Sequence, residues 1–146
     1  MATVTIKNVD RLIQRLNKIA DMELKKTVVD ATKVVHAQAK ALAPVDTGTL
    51  AGSIHQEVKV KSESVEGRVF TNVQYAPYVE FGTGVKGNGS YPYDIEGLDL
   101  TYKEDWGGMP AQPFMYPALK QNEKYIKDLF KSDVKTNLSK VCKGGQ

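Results

Sequence analysis

Cysteine is almost missing from this 146-residue chain: Cys142, near the C-terminus, is the only one. That excludes an intrachain disulfide and a cysteine-based metal cage, so folding must rest on the core alone. Histidine is nearly as scarce. His36 and His55 have no cysteines and no tight carboxylate cluster around them in the sequence, so no metal site is expected and each reads as an ordinary, partly exposed residue. No stretch approaches the roughly 20 apolar residues of a membrane-spanning helix. Residues 1–7 lack the apolar run of a signal peptide, so the chain is expected to be made in the cytoplasm, with no membrane partner. A strong charge of one sign is lacking as well: the net charge of +3 is too small to argue for nucleic acid.

What is present suits a folded protein. Hydrophobic residues make up 41% and charged residues 25%, close to soluble globular averages and unlike disordered chains. The length leaves room for a single domain over residues 1–146. The distribution of charge carries more information than its sum. Residues 1–43 hold eight Lys or Arg against four acids, residues 44–119 five against ten, and residues 120–146 seven against three. Two basic ends flank an acidic middle, a pattern of solvated helix faces or of pairing between subunits, basic face to acidic face.

Residues 3–6 read as a short strand, followed by Asn8 as the N-cap of a helix with apolar residues at Val9, Leu12, Ile13, Leu16 and Ile19. A break is expected near Asp21. A second, longer helix then runs over residues 22–43, with Val28, Ala31, Val35, Ala39 and Leu42 three to four apart. Pro44 should end it at about Ala43. Asp46, Thr47 and Gly48 make a turn, in which the Asp46 carboxylate is expected to accept backbone N–H groups and Gly48 to supply a positive φ.

From residue 53 to residue 72 the pattern changes to alternation. Ile54, Val58 and Val60, then Val65, Val69 and Thr71, predict a hairpin turning at residues 61–64, with one wet face and one covered by helix. Residues 84–109 read as a long loop, with a strand or small hairpin weighed around residues 98–102. Its Tyr91, Tyr93 and Trp106 look exposed, and the loop is expected to be mobile until a neighbour orders it. Residues 114–141 have the spacing of a last helix, with Pro117 in its first turn and a frayed tail at residues 143–146.

Several motifs imitate catalytic ones. Asp46-Thr47-Gly48 is the tripeptide of aspartic proteases, but that chemistry needs each Asp at the end of a strand in an all-β fold, and this one follows a helix. Gly82-Thr83-Gly84-Val85-Lys86-Gly87 matches the dinucleotide fingerprint by letter. A real fingerprint opens a helix within a βαβ unit, and here a Gly- and Pro-rich stretch follows instead. Ser53 has no evident base or oxyanion partner. No catalytic residue and no cofactor is therefore expected.

Three segments together carry a resemblance. Ala43-Pro44-Val45-Asp46-Thr47-Gly48-Thr49-Leu50, closed by Ser53-Ile54, is the first. Tyr75-Ala76-Pro77-Tyr78-Val79-Glu80-Phe81-Gly82-Thr83 is the second, and Pro110-Ala111-Gln112-Pro113-Phe114-Met115-Tyr116-Pro117-Ala118-Leu119 the third. In this order they resemble the signature of the head-tail joining and tail-completion family of tailed phages, the minor tail or neck proteins. Where members of that family carry a basic residue, this chain has Ala51-Gly52 after the first leucine and Tyr116 before the last proline. Among the matching residues, Pro44, Asp46, Thr47, Gly48, Tyr78, Glu80, Phe81, Gly82, Pro113, Phe114 and Pro117 read as scaffold. Tyr75, Tyr78 and Phe81 are expected to cover the open face of the hairpin, while Pro113 and Pro117 set how the last helix leaves the loop.

The expected fold is α+β, an antiparallel sheet packed against a long N-terminal helix and a C-terminal helix. The resemblance implies a non-enzymatic virion subunit that forms a homo-oligomeric ring, six copies matching the tail's symmetry, between head connector and tail. Its partners would be connector and tail proteins, with DNA passing through the ring. The alternative is a small basic nucleic-acid-binding protein, which needs basic residues converging on one surface, whereas the lysines read as spread around the helices with acids between.

Overall fold

The computed structural model describes residues 9–46, 48–62 and 64–143. The expected strand at residues 3–6 and the cap at Asn8 lie outside them. Helix α1 (Val9–Leu42) is one continuous element, so the expected break at Asp21 does not occur. The segment has no glycine or proline, and an interior Asp costs only about 0.7 kcal/mol of helix propensity relative to alanine, too little to interrupt a long helix. Its end falls one residue from the expected Ala43, whose N–H still closes a helical bond on Ala39 O at 2.9 Å before Pro44 stops the run.

A single helical turn, α2 (Thr49–Gly52), leads into strands β1 (Ile54–Val60) and β2 (Val65–Thr71). They pair antiparallel with Ile54 opposite Thr71 and Val60 opposite Val65. The register places Ile54, Val58, Val65 and Val69 on one face and His55, Glu57, Lys59, Glu66 and Arg68 on the other. The charged face is wet, as expected, with Arg68 opposite Glu57 at 3.0 Å and Lys61 2.7 Å from Glu66. Such exposed pairs each contribute at most about 1 kcal/mol. The apolar face lies on α1, and Gly67 is the crossing point: a Cβ there would stand 2.0 Å from Thr32 Oγ1 and 3.1 Å from Val28. Only glycine lets the strand approach the helix so closely.

Helices α3 (Ala76–Phe81) and α4 (Gly84–Gly87) follow, and the chain ends in α5 (Met115–Lys143), which runs antiparallel to α1. Gln38 meets Gln121 at 3.3 Å towards one end of the pair, and the Thr27 hydroxyl donates to Asp133 towards the other. The buried apolar cluster joins Ala39 and Ala43 of α1, Leu50, Ile54, Ala76, Phe114 and Ala118. Alanines at most of these positions let the elements come close, and Phe114 fills the space between them. The architecture is α+β, a two-stranded antiparallel sheet with a long N-terminal and a C-terminal helix, as the residue patterns led us to expect.

Candidate interaction site

The three motif segments, far apart in sequence, meet at the start of α5. Helix α3 begins at Ala76, so Ala76 and Glu80, four apart, share its inward face. Glu80 is 5% exposed, and its carboxylate accepts three backbone N–H groups: Phe114 at 2.7 Å and Met115 at 2.9 Å on Oε2, and Tyr116 at 3.1 Å on Oε1. These are donors that the first turn of a helix leaves without internal partners, and a carboxylate there also meets the positive end of the helix dipole. Glu80 is therefore the cap of α5, supplied from 34 or more residues upstream. Gln112 N–H donating to Val79 O at 2.8 Å ties the same two segments together, and Leu50 of the first segment packs with Ala76 and Phe114.

The inward turn of Ala76 and Glu80 sends the tyrosines the other way. Tyr75 and Tyr78 are 46% and 60% exposed and do not cover the hairpin, as had been expected; α1 does. Phe81 instead starts a ladder of edge-on rings, Phe81 to Tyr91 at 5.0 Å, Tyr91 to Tyr93 at 5.5 Å, and Tyr93 to Tyr116 at 4.9 Å. Tyr91 and Tyr93 are thus half-buried rather than exposed; only Trp106 of the three loop aromatics stands out, at 56%. Tyr116, where the resembling family has a basic residue, closes the ladder.

Glycines clasp the two ends of the long loop. Thr83 and Met109 exchange backbone hydrogen bonds at 2.8 and 3.0 Å, and Val85 N–H reaches Trp106 O at 2.9 Å. Gly108 has φ +62°, and a Cβ on it would lie 1.8 Å from Thr83 O, so no side chain fits. The one-turn α4 lies within the Gly82–Gly87 motif, in the stretch read as loop from residue 84, and no helix opens in the Gly- and Pro-rich residues 88–92 that follow it. That turn is held by the clasp. No strand forms at residues 98–102; Tyr102 instead donates its hydroxyl to Phe81 O at 2.8 Å.

The remaining sequence candidates stay apart from this cluster or serve structure. Gly48 takes the positive φ of +75°, but Asp46 is exposed and its carboxylate accepts no hydrogen bond among the described residues; Thr47 lies outside them. His36 Nε2 is 2.9 Å from Ile54 O, and the His55 ring lies 5.9 Å from Phe70 on the wet face. Ser53 bonds to Leu50 O and the Thr71 hydroxyl, both at 2.7 Å. Among the described residues no three His, Cys, Asp or Glu side chains are grouped to hold a metal ion. Pro113 is half-buried and Pro117 buried, both at the entry to α5.

Beside the cap runs an open groove of about 730 Å³, between β2 on one side and α5 on the other, with α1 as its floor. Val28, Val35, Val69, Leu119, Ile126 and Phe130 are among the residues lining it, and its surface is mostly apolar. Glu80 and Tyr91 are among its lining residues as well. Burial, then the charge of Glu80 and the contact of its Oε1 3.4 Å from the hydroxyl, push the Tyr91 phenol well above the ordinary tyrosine value. A raised value means that the folded chain keeps a proton the unfolded chain releases. The stability Tyr91 contributes is then complete below about pH 10 and is lost progressively above it. Tyr91→Phe should flatten the fall of unfolding free energy above pH 10; parallel falls in the two proteins would contradict the assignment.

The fold and the groove define an α+β subunit organised around two long helices, with an apolar face left open. Over residues 8–82 the chain matches the family described as "Bacteriophage HK97-gp10, putative tail-component", and it belongs to that family. The matched stretch runs from the start of α1 to the glycine after α3, so it contains Glu80 but not the helix that Glu80 caps. No curated protein and no solved structure matches the chain.

Proposed function

We propose that this phage tail component is a single-domain joining subunit that closes a ring between head connector and tail. It acts by binding, without catalysis and without a cofactor, and DNA passes through the ring it forms. Membership of a family of phage tail components supports the structural role in the virion. The observation that carries the reading further is the apolar groove, roughly 730 Å³ and open along its length in the isolated chain. A monomer gains by covering an apolar face of this kind, which marks a surface for protein contact. Six copies would match the symmetry of a tail. Assembly would take place in the host cytoplasm.

The test is a phage in which this gene is disrupted. Full heads and complete tails should accumulate side by side, unjoined, in electron micrographs, and adding the purified protein should restore joined particles. Joined, infectious particles made without the protein would overturn the reading. So would its absence from purified virions.

A further inference from the structure

The groove does not end at the cap. Phe130, which lines it, is followed along α5 by Val134 and Leu138, 58% and 56% exposed, which extend the apolar surface to the last turns of the helix. Alongside runs a second stripe. Lys120, Lys124, Lys127, Lys131 and Lys135 stand at i, i+4, i+7, i+11 and i+15, a spacing that puts all five on one face of α5. Five of the seven lysines of this helix thus share a face that the sequence reading had not singled out, while Lys140 and Lys143 in the last turn fall off it. Lys120 and Lys127 both pair with Glu123, while Lys124, Lys131 and Lys135 make no ion pair among the described residues.

The complementary surface lies on the long loop. Asp94, Glu96, Asp99, Glu104 and Asp105 are all exposed, with Lys103 the one cation among them, and none makes an ion pair among the described residues. Two apolar residues, Leu98 and Trp106, stand 39% and 56% exposed within the same loop. The Tyr93–Tyr116 contact and the Thr83–Met109 clasp anchor both ends of this loop near the start of α5. Phe130 to Leu138 lies farther along, some 24 to 36 Å from Phe114 at about 1.5 Å per residue.

We propose that a second copy of this chain seats its acidic loop on the C-terminal half of α5. Leu98 and Trp106 meet Phe130, Val134 and Leu138, while Asp99, Glu104 and Asp105 face Lys124, Lys131 and Lys135. Loop and helix half sit at different ends of the molecule, so the contact is heterologous: each copy gives its loop to one neighbour and its helix to the next. Repeated, such a contact closes a ring or grows a filament. The apolar stripe against the lysines favours a protein partner over nucleic acid, whose phosphates need only the cations. The proposal rests on the ring-forming reading above and specifies its interface.

The experiment uses the full chain and two triple variants, Lys124→Glu/Lys131→Glu/Lys135→Glu and Asp99→Lys/Glu104→Lys/Asp105→Lys, compared by sedimentation at low salt up to millimolar protein. Circular dichroism checks that each variant folds, as exposed positions should allow. Each variant alone should associate on the order of tenfold more weakly than the parent, since three exposed pairs turn from attractive to repulsive. An equimolar mixture of the two should recover the parent's association, because every contact in an alternating ring is again between opposite charges. Carbodiimide cross-links in the parent should join loop acids to α5 lysines of another copy. If oligomers form but ignore both variants, this interface is wrong while the ring reading stands. If the parent stays monomeric throughout, both are wrong. Duplex DNA binding that is lost in the lysine variant, with association unchanged, would assign the stripe to nucleic acid and overturn the proposal.

Discussion

Glu80→Ala should lower the free energy of unfolding by about 3 kcal/mol, the combined cost of an uncapped helix end and buried N–H groups left without acceptors. Three donors lose their partner at once, those of Phe114, Met115 and Tyr116, in a place only 5% exposed at Glu80. Glu80→Gln separates the parts of this effect. The amide keeps the shape and one acceptor oxygen, which can serve Phe114 and Met115, but turns an NH₂ towards Tyr116 and removes the charge at the helix end. About half of the loss should remain. Urea unfolding followed by circular dichroism and by the fluorescence of Trp106 measures both. A loss below about 1 kcal/mol for the alanine variant would mean that the cap is not what orders the start of α5.

Phe114→Ala should cost more, about 4 kcal/mol, which falls in the range for emptying a fully buried aromatic site. The side chain is 0% exposed and is the largest in the buried cluster. Its neighbours there include Ala39, Ala43, Ala76 and Ala118, which are too short to lean into the space it would leave. The cavity should therefore persist, lowering the melting temperature by roughly 12 °C for a chain of this size. Phe114→Leu, which keeps most of the volume, should cost about 1 kcal/mol. Because the Phe114 N–H also donates to Glu80, the Glu80→Ala and Phe114→Ala losses should fall short of additive when combined. A Phe114→Ala protein that melts within a few degrees of the parent would show that the cluster collapses around the gap.

Regular elements were legible because their signals are local. The Ala- and Lys-rich spacing around Val28, Ala31, Val35 and Ala39, free of glycine and proline, is what a helix needs over each successive turn, and Pro44 ends it by geometry alone. The alternation of Ile54 to Val60 and Val65 to Thr71 specifies strands in the same way, and the register followed from which residues are apolar. The break read at Asp21 failed because a weak local preference was set against a long cooperative helix. The family was legible too, through three ordered segments, of which the first falls inside the matched residues 8–82 and the second does so up to Gly82.

The sequence by itself determined the helical character of the two long helices, the hairpin with its wet and dry faces, and the family of phage tail components to which the chain belongs. Only the tertiary structure decided what the motif residues do. Glu80 carries no local sign that it caps a helix, because a capping box is read within three residues and this cap is supplied across 34. Tyr91 and Tyr93 looked exposed on a glycine-rich loop and are packed, because the rings that cover them, Phe81 and Tyr116, are brought in from other elements. Gly67 reads as an ordinary strand residue until the closeness of Thr32 shows that no Cβ fits. Each depends on which atoms the folded chain brings within a few ångströms, and sequence spacing records distances along the chain, not across it.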